Sequence, residues 1–143
     1  DIDPKTYEIK IRRFIAIDDC GNIINPMIVE GQIHGGLTQG LAPAMFEELT
    51  YDKDGNILNG SLMDYLVPTA VETPNWETDQ TVTPSPHHPL GAKGVAESPT
   101  VGAPPAIANA VIDALSHLGV ESMGIPITPF KVWQVLKDKE LAA

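Results

Sequence analysis

The sequence predicts an α+β domain in which β-hairpins pack with two main helices. Three observations carry that expectation. Residues Thr6 to Ile17 alternate, with Tyr7, Ile9 and Ile11 on one side and Glu8, Lys10 and Arg12 on the other, the period of a half-buried strand. Ile107, Val111, Leu115 and Leu118 recur at helical spacing, with Asn109, Asp113 and Ser116 on other faces. Clusters of Asp, Gly, Asn and Pro punctuate the stretches between them.

Taken in order, the strand over 6–17 runs into a turn at Asp18-Asp19-Cys20-Gly21-Asn22, and Ile23-Ile24 begins a second strand that Asn25-Pro26 ends. A helix is predicted over 27–48. Gln32, Gly35, Gly36, Gln39 and Gly40 share one of its faces. Each glycine inside a helix costs about 1 kcal/mol relative to Ala. Close approach of another helix or of a cofactor would offset that cost, and spacing does not choose between them. Leu49-Thr50-Tyr51 and Ile57-Leu58 flank Asp52-Lys53-Asp54-Gly55-Asn56 as a hairpin. The pattern Asp-x-x-Gly-Asn-Ile-x-Asn occurs at 18–25 and again at 52–59, which reads as one hairpin chemistry used twice. The second copy is a poor calcium loop, since Met63 stands where a bidentate Glu belongs. One or two further strands are expected in 60–83, within a region broken by Pro68, Pro74, Pro84, Pro86 and Pro89. The clearest helix spans 103–118, with Pro104-Pro105 in its first turn and Gly119 at its end. A short amphipathic helix follows from Phe130 to Lys137, burying Trp133 and Leu136.

Composition narrows the function. Apolar residues make up 43 % of the 143, enough for one domain over 1–143. Net charge is −10, and between Glu47 and Glu97 there are nine acidic side chains against Lys53 and Lys93. Nucleic acid and anionic membranes both require clustered cations, so neither is an expected partner. No stretch is long and apolar enough to span a membrane. The single Cys20 forms no internal disulfide and fits a reducing, cytoplasmic setting. Adjacent His87-His88 point apart in extended chain and make a poor metal pair; no residue is assigned as a metal ligand.

The stretch with the most chemical content is Gly91-Ala92-Lys93-Gly94-Val95-Ala96-Glu97-Ser98, followed by Thr100 to Pro105. It sets one carboxylate, Glu97, between a flexible loop and a helix start, where unpaired N–H groups and the helix dipole favour anions. Gly91, Gly94 and Gly102 let backbone approach a ligand closely. Spacing alone favours an ordinary loop residue over a catalytic base.

This segment resembles the active-site segment of the molybdenum hydroxylases, the xanthine dehydrogenase and aldehyde oxidase family, where a Gly-x-Gly-Glu segment precedes a Gly-x-Pro-Pro-like run. The runs Asp64 to Asp79 and Val82 to Leu90 resemble one branch, the large chains of aerobic carbon monoxide dehydrogenases. The resemblance extends from about Gly21 to Trp133, with one departure: Ala96 stands where the family has Gly. It implies that Glu97 is the general base of an oxidation that uses water-derived oxygen. It also implies that Gln32, 65 residues earlier, and Lys93, Gly94, Val95, Ala96 and Ser98 contact the cofactor. That cofactor is implied to be molybdenum–molybdopterin in its cytosine dinucleotide form. Copper belongs to the carbon monoxide branch, held by a loop cysteine that Cys20 does not match. The implied partners are the remainder of the large subunit, an iron–sulfur subunit, a flavin (FAD) subunit and a small-molecule substrate. The chain opens at Asp1 without Met and reads as about the last fifth of such a large subunit, its cofactor-binding C-terminal part. Alone it is expected to bind no cofactor and to turn nothing over. Carbon monoxide is the first expected substrate; an aldehyde or N-heterocycle, or a non-catalytic folded remnant serving assembly, are the alternatives.

Overall fold

The computed structural model describes residues 1–139. Asn25 starts helix α1 (Pro26–Met45): its side chain accepts the Ile28 N–H at 3.3 Å, and Pro26 sits in the first turn, where a missing N–H costs nothing. The helix expected over 27–48 is thus present. Helix α2 (Ser98–Leu115) starts five residues ahead of the expected Ala103. Pro104 and Pro105 therefore lie inside the helix rather than in its first turn. Lacking N–H groups, they leave the carbonyls of Thr100 and Val101 without their usual i+4 donors.

α1 and α2 lie side by side and run the same way. A Cβ on Gly36 would fall 2.5 Å from Pro99 Cγ and 3.0 Å from the Ala96 carbonyl oxygen. One on Gly40 would fall 2.7 Å from Ala103 Cβ and 2.8 Å from the Thr100 carbonyl oxygen. Later residues of α1 meet later residues of α2, so both N-termini point to the same end of the molecule. Helix packing accounts for Gly36 and Gly40. It does not account for Gly31 and Gly35, where nothing lies within 4 Å of a Cβ.

The sheet is a parallel pair, β1 (Phe14–Asp18) and β2 (Trp76–Gln80), in register from Phe14↔Trp76 to Asp18↔Gln80. Parallel strands need a long crossover, and α1 lies within it. The strand expected over 6–17 is realised only in its last third. Tyr7 adopts φ 60°, and residues before Phe14 hold a single bridge, Ile2 to Ile9. The second strand expected at Ile23-Ile24 does not form; instead Gly21 bridges antiparallel to Ala92. Alternation reports a period but not which edge will supply the partner, and here the partner lies far along the chain. Region 60–83 contributes one strand, β2. Tyr51 and Ile57 do close the expected turn, with Gly55 at φ +84° and the Asp52 carboxylate accepting the Asp54 and Asn56 N–H groups at 2.8 and 2.9 Å.

Two apolar clusters hold the elements. Ile33, Leu37, Leu41, Ala44, Ala103 and Ile107 fill the α1–α2 seam, roofed by Phe14, Ala16 and Trp76 from the sheet. Trp76 meets Phe14 edge-to-face at 5.2 Å and donates its Nε1–H to Thr38 Oγ1 at 3.2 Å, satisfying the indole. Arg13 forks onto Glu77 with both bonds at 2.6 Å, pinning the strand register. The second cluster gathers Val111, Leu115, Val120 and Ile127 under Val132 and Leu136 of helix α3 (Pro129–Asp138), which Thr128 caps. Gly119 ends the preceding helical turn at φ +75°, as expected. Leu136 is buried as expected; Trp133 is only half-buried, beside Phe130 and under Lys137, because Val132 shares the i, i+4 face with Leu136.

Candidate active site

Glu97 is the N-cap of α2, at φ −89° and ψ −25°. Its carbonyl accepts the Val101 N–H at 3.0 Å, but its side chain makes no capping bond and is exposed. The carboxylate therefore stands free at a helix start, with first-turn N–H groups beside it.

The loop leading to it is stitched to the turn after β1. The Gly91 carbonyl accepts N–H groups from Asn22 and Ser85, each at 3.0 Å. Asn22 Nδ2 donates to the Leu90 carbonyl at 2.9 Å, and the Lys93 N–H donates to the Cys20 carbonyl at 2.7 Å. Gly21 and Gly91 both have left-handed φ, +66° and +67°. A Cβ on Gly21 would fall 2.2 Å from the Gly91 carbonyl oxygen, so the two strands of this stitch meet only because no side chain intervenes.

Asp19 is the hub of the stitch. Its Oδ1 accepts the Gly21 N–H at 2.9 Å, the Thr83 N–H at 3.1 Å and the Lys93 ammonium at 3.1 Å. The Thr83 side chain first, then the Gly21 and Thr83 N–H groups and the Lys93 ammonium, hold this carboxyl well below the usual carboxylate range. Because its folded value is depressed, its contribution is complete above the unfolded value of about 4 and is lost as pH falls through the folded one. Hydrogen-exchange protection of the Gly21 and Lys93 amides should accordingly be flat from pH 7 to about pH 4 and decline only in stronger acid. Loss of that protection between pH 7 and about pH 5 would contradict it. Next door, Asp18 is buried, 7 % exposed, and accepts the Ser98 hydroxyl.

Of the residues singled out by sequence, Lys93, Gly94, Val95, Ala96, Glu97 and Ser98 form one continuous rim. Val95 packs into the α1–α2 cluster, and nothing lies within 4 Å of a Cβ on Gly94. Ala96 is exposed, and Tyr7 is the only non-glycine at positive φ among the described residues, so the methyl is accommodated without strain. Gln32 is exposed on α1, one turn before Gly36 on the same face, about 6 Å along the axis from where the Ala96 carbonyl meets that helix. The fold thus brings Gln32 and the Glu97 loop to one end of the helix pair. Sequence reasoning passed over Asp18, Asp19, Asn22 and Thr83, reading 18–22 as a plain turn. The available signal was an acidic pair closing an apolar strand. A hollow of about 600 Å³ lies away from this rim, between Lys10, Phe46, Val71 and Pro129. Among the described residues no group of three or more His, Cys, Asp or Glu side chains is arranged to hold a metal ion.

Residues 1–74 match the molybdopterin cofactor-binding domain family, to which the chain belongs. It is a segment of the molybdenum hydroxylase type. It is 61 % identical, over 99 % of its length, to the carbon monoxide dehydrogenase large chain of Hydrogenophaga pseudoflava, covering 18 % of that chain. A solved Cu,Mo-CO dehydrogenase in its carbon monoxide reduced state matches with TM-score 0.94 and 55 % identity, over 99 % of this chain and 18 % of the other. Quinoline 2-oxidoreductase from Pseudomonas putida 86 matches with TM-score 0.92 and 44 % identity, over 96 % of this chain and 17 % of the other. The chain thus spans under a fifth of the length of these relatives.

Proposed function

We propose that this chain is the C-terminal cofactor-binding part of a carbon monoxide dehydrogenase-like large subunit, with Glu97 as its general base. The observation that carries the reading is the free, exposed Glu97 carboxylate at the α2 start, beside open backbone at Gly94, in a chain so close to a carbon monoxide dehydrogenase. The rim suits an anionic, bulky group: the open backbone at Gly94 leaves room, and the first-turn N–H groups supply donors. Gln32, Gly94, Val95, Ala96 and Ser98 would line a molybdenum–molybdopterin cofactor in its cytosine dinucleotide form. Lys93 holds the loop through its N–H and one bond from its ammonium to Asp19, and the other two ammonium donors would serve the cofactor. When bound, the group supplies the two-electron oxidant and a Lewis acid that acidifies water. Glu97 accepts the proton released as that water's oxygen is transferred. For carbon monoxide, one water is consumed, carbon dioxide leaves, and two protons and two electrons are released. Cys20 does not match the loop cysteine that holds copper in the carbon monoxide branch, so we assign any copper ligand to another part of the large subunit.

The surface supports the partners. The chain exposes 9456 Å², against about 7200 Å² for a compact monomer of its mass. Leu58, Leu62, Met63 and Val71 are among its exposed apolar residues, the sort of surface another part of a protein covers. We assign that role to the rest of the large subunit, with iron–sulfur and flavin subunits carrying electrons away, in the cytoplasm. Among the described residues no helix is long and apolar enough to cross a membrane. The likeness to quinoline 2-oxidoreductase keeps an N-heterocycle, with aldehydes, as the second substrate class.

Metal content and native mass of the source-purified polypeptide that carries this sequence test the reading. A complex with larger subunits and about one molybdenum per large subunit is expected, with copper if carbon monoxide is the substrate. A chain running alone and metal-free would leave only the folded, non-catalytic role.

A further inference from the structure

We propose that Asp18 and Asp19 form a two-point clamp that sets the position of Glu97, with Lys93 and Ser98 as its positioning residues. The proposal rests on the reading of Glu97 as the base. The two aspartates are adjacent where β1 ends, a site fixed by pairing with β2 through Asp18↔Gln80. From there they reach the two ends of one loop: Asp19 takes the Lys93 ammonium at 3.1 Å, and Asp18 takes the Ser98 hydroxyl. Gly94 to Glu97 are the residues between these anchors. Within them, Val95 packs into the α1–α2 cluster, the Ala96 carbonyl abuts α1 at Gly36 and the Glu97 carbonyl takes the Val101 N–H, but Gly94 has open space around it and the Glu97 side chain is tied to nothing. The clamp therefore sets where the carboxylate stands.

The partner of Ser98 supports this. Ser98 is the first residue of α2, one past the N-cap Glu97, and its hydroxyl donates to the buried Asp18 side chain at the end of β1 and not to the helix's own backbone. It also adjoins Glu97 directly, so a change in its backbone angles swings the base. A reacting group misplaced by about 1 Å can lose roughly 10²-fold in rate.

The test uses the intact enzyme complex, with carbon monoxide and a dye as electron acceptor. Ser98→Ala removes one anchor, Lys93→Met the other, and Ser98→Thr keeps the hydroxyl. Each is read by kcat, by KM, and by hydrogen exchange over 91–101 in the resting enzyme, a readout independent of turnover. Ser98→Ala should lower kcat by about 10–100-fold, with KM within about twofold, and speed exchange about tenfold at Lys93 and Val101, whose N–H groups are bonded to the Cys20 and Glu97 carbonyls at the two ends of the loop. Ser98→Thr should restore both, and Lys93→Met should show a milder form of the same pattern. If Ser98→Ala fails to assemble, Lys93→Met, at the exposed anchor, decides the matter alone. Unchanged exchange, faster exchange with full kcat, or failure of Ser98→Thr to restore kcat would each overturn the clamp. Full turnover in Glu97→Gln would instead overturn the base reading, while exchange in Ser98→Ala would still report whether the anchors hold the loop.

Discussion

Replacing Glu97 by Gln is expected to lower kcat by about 10²–10⁴-fold, the usual worth of a positioned general base. The amide has the same shape but cannot take a proton at working pH. Stability should barely change, because the Glu97 side chain makes no capping bond and is exposed. Only its interaction with the α2 dipole is lost, worth roughly 0.3–1 kcal/mol at an exposed helix start. The informative result is therefore a split: turnover collapses while thermal midpoint and molybdenum content stay at wild-type values. Full turnover in this variant, assayed in the assembled complex, would remove Glu97 from the chemistry.

The second large effect is structural. Gly21→Ala should destabilise the protein by about 2–5 kcal/mol. Left-handed backbone costs an L residue roughly 1–2 kcal/mol, and overpacking adds about 1–3 kcal/mol. Both penalties apply here, since Gly21 has φ +66° and the new Cβ would sit 2.2 Å from the Gly91 carbonyl oxygen. That oxygen holds the Asn22 and Ser85 N–H groups, so the clash cannot be relieved without breaking the stitch beside Lys93. Denaturant unfolding of the variant against the parent measures the loss. A change under about 0.5 kcal/mol would mean that the stitch is dispensable.

The helices were legible because their signals are local. Asn25-Pro26 starts α1, Thr128 caps α3, and Gly119 ends the turn after α2, each through bonds that close within a few residues. The start of α2 was misplaced because Pro104-Pro105 resembles a first turn, whereas Ser98-Pro99 is the real one. The sheet was illegible in its pairing: Phe14 meets Trp76 across a crossover that contains α1. The glycine face of α1 was left open between two uses, and the structure divides it. Gly36 and Gly40 serve helix contact, while Gly31 and Gly35 face open space.

By itself the sequence determined the α+β class and the three helices, and it put Glu97 in the loop ahead of the second, because periodicity, caps and turn residues act over a few positions. Only the tertiary structure decided the parallel sheet, the shared direction of α1 and α2, and the grip of Asp18 and Asp19 on Ser98 and Lys93. Those features join residues 60 to 80 positions apart. Their partners are chosen by what the rest of the chain brings within bonding distance, and no local pattern encodes that choice.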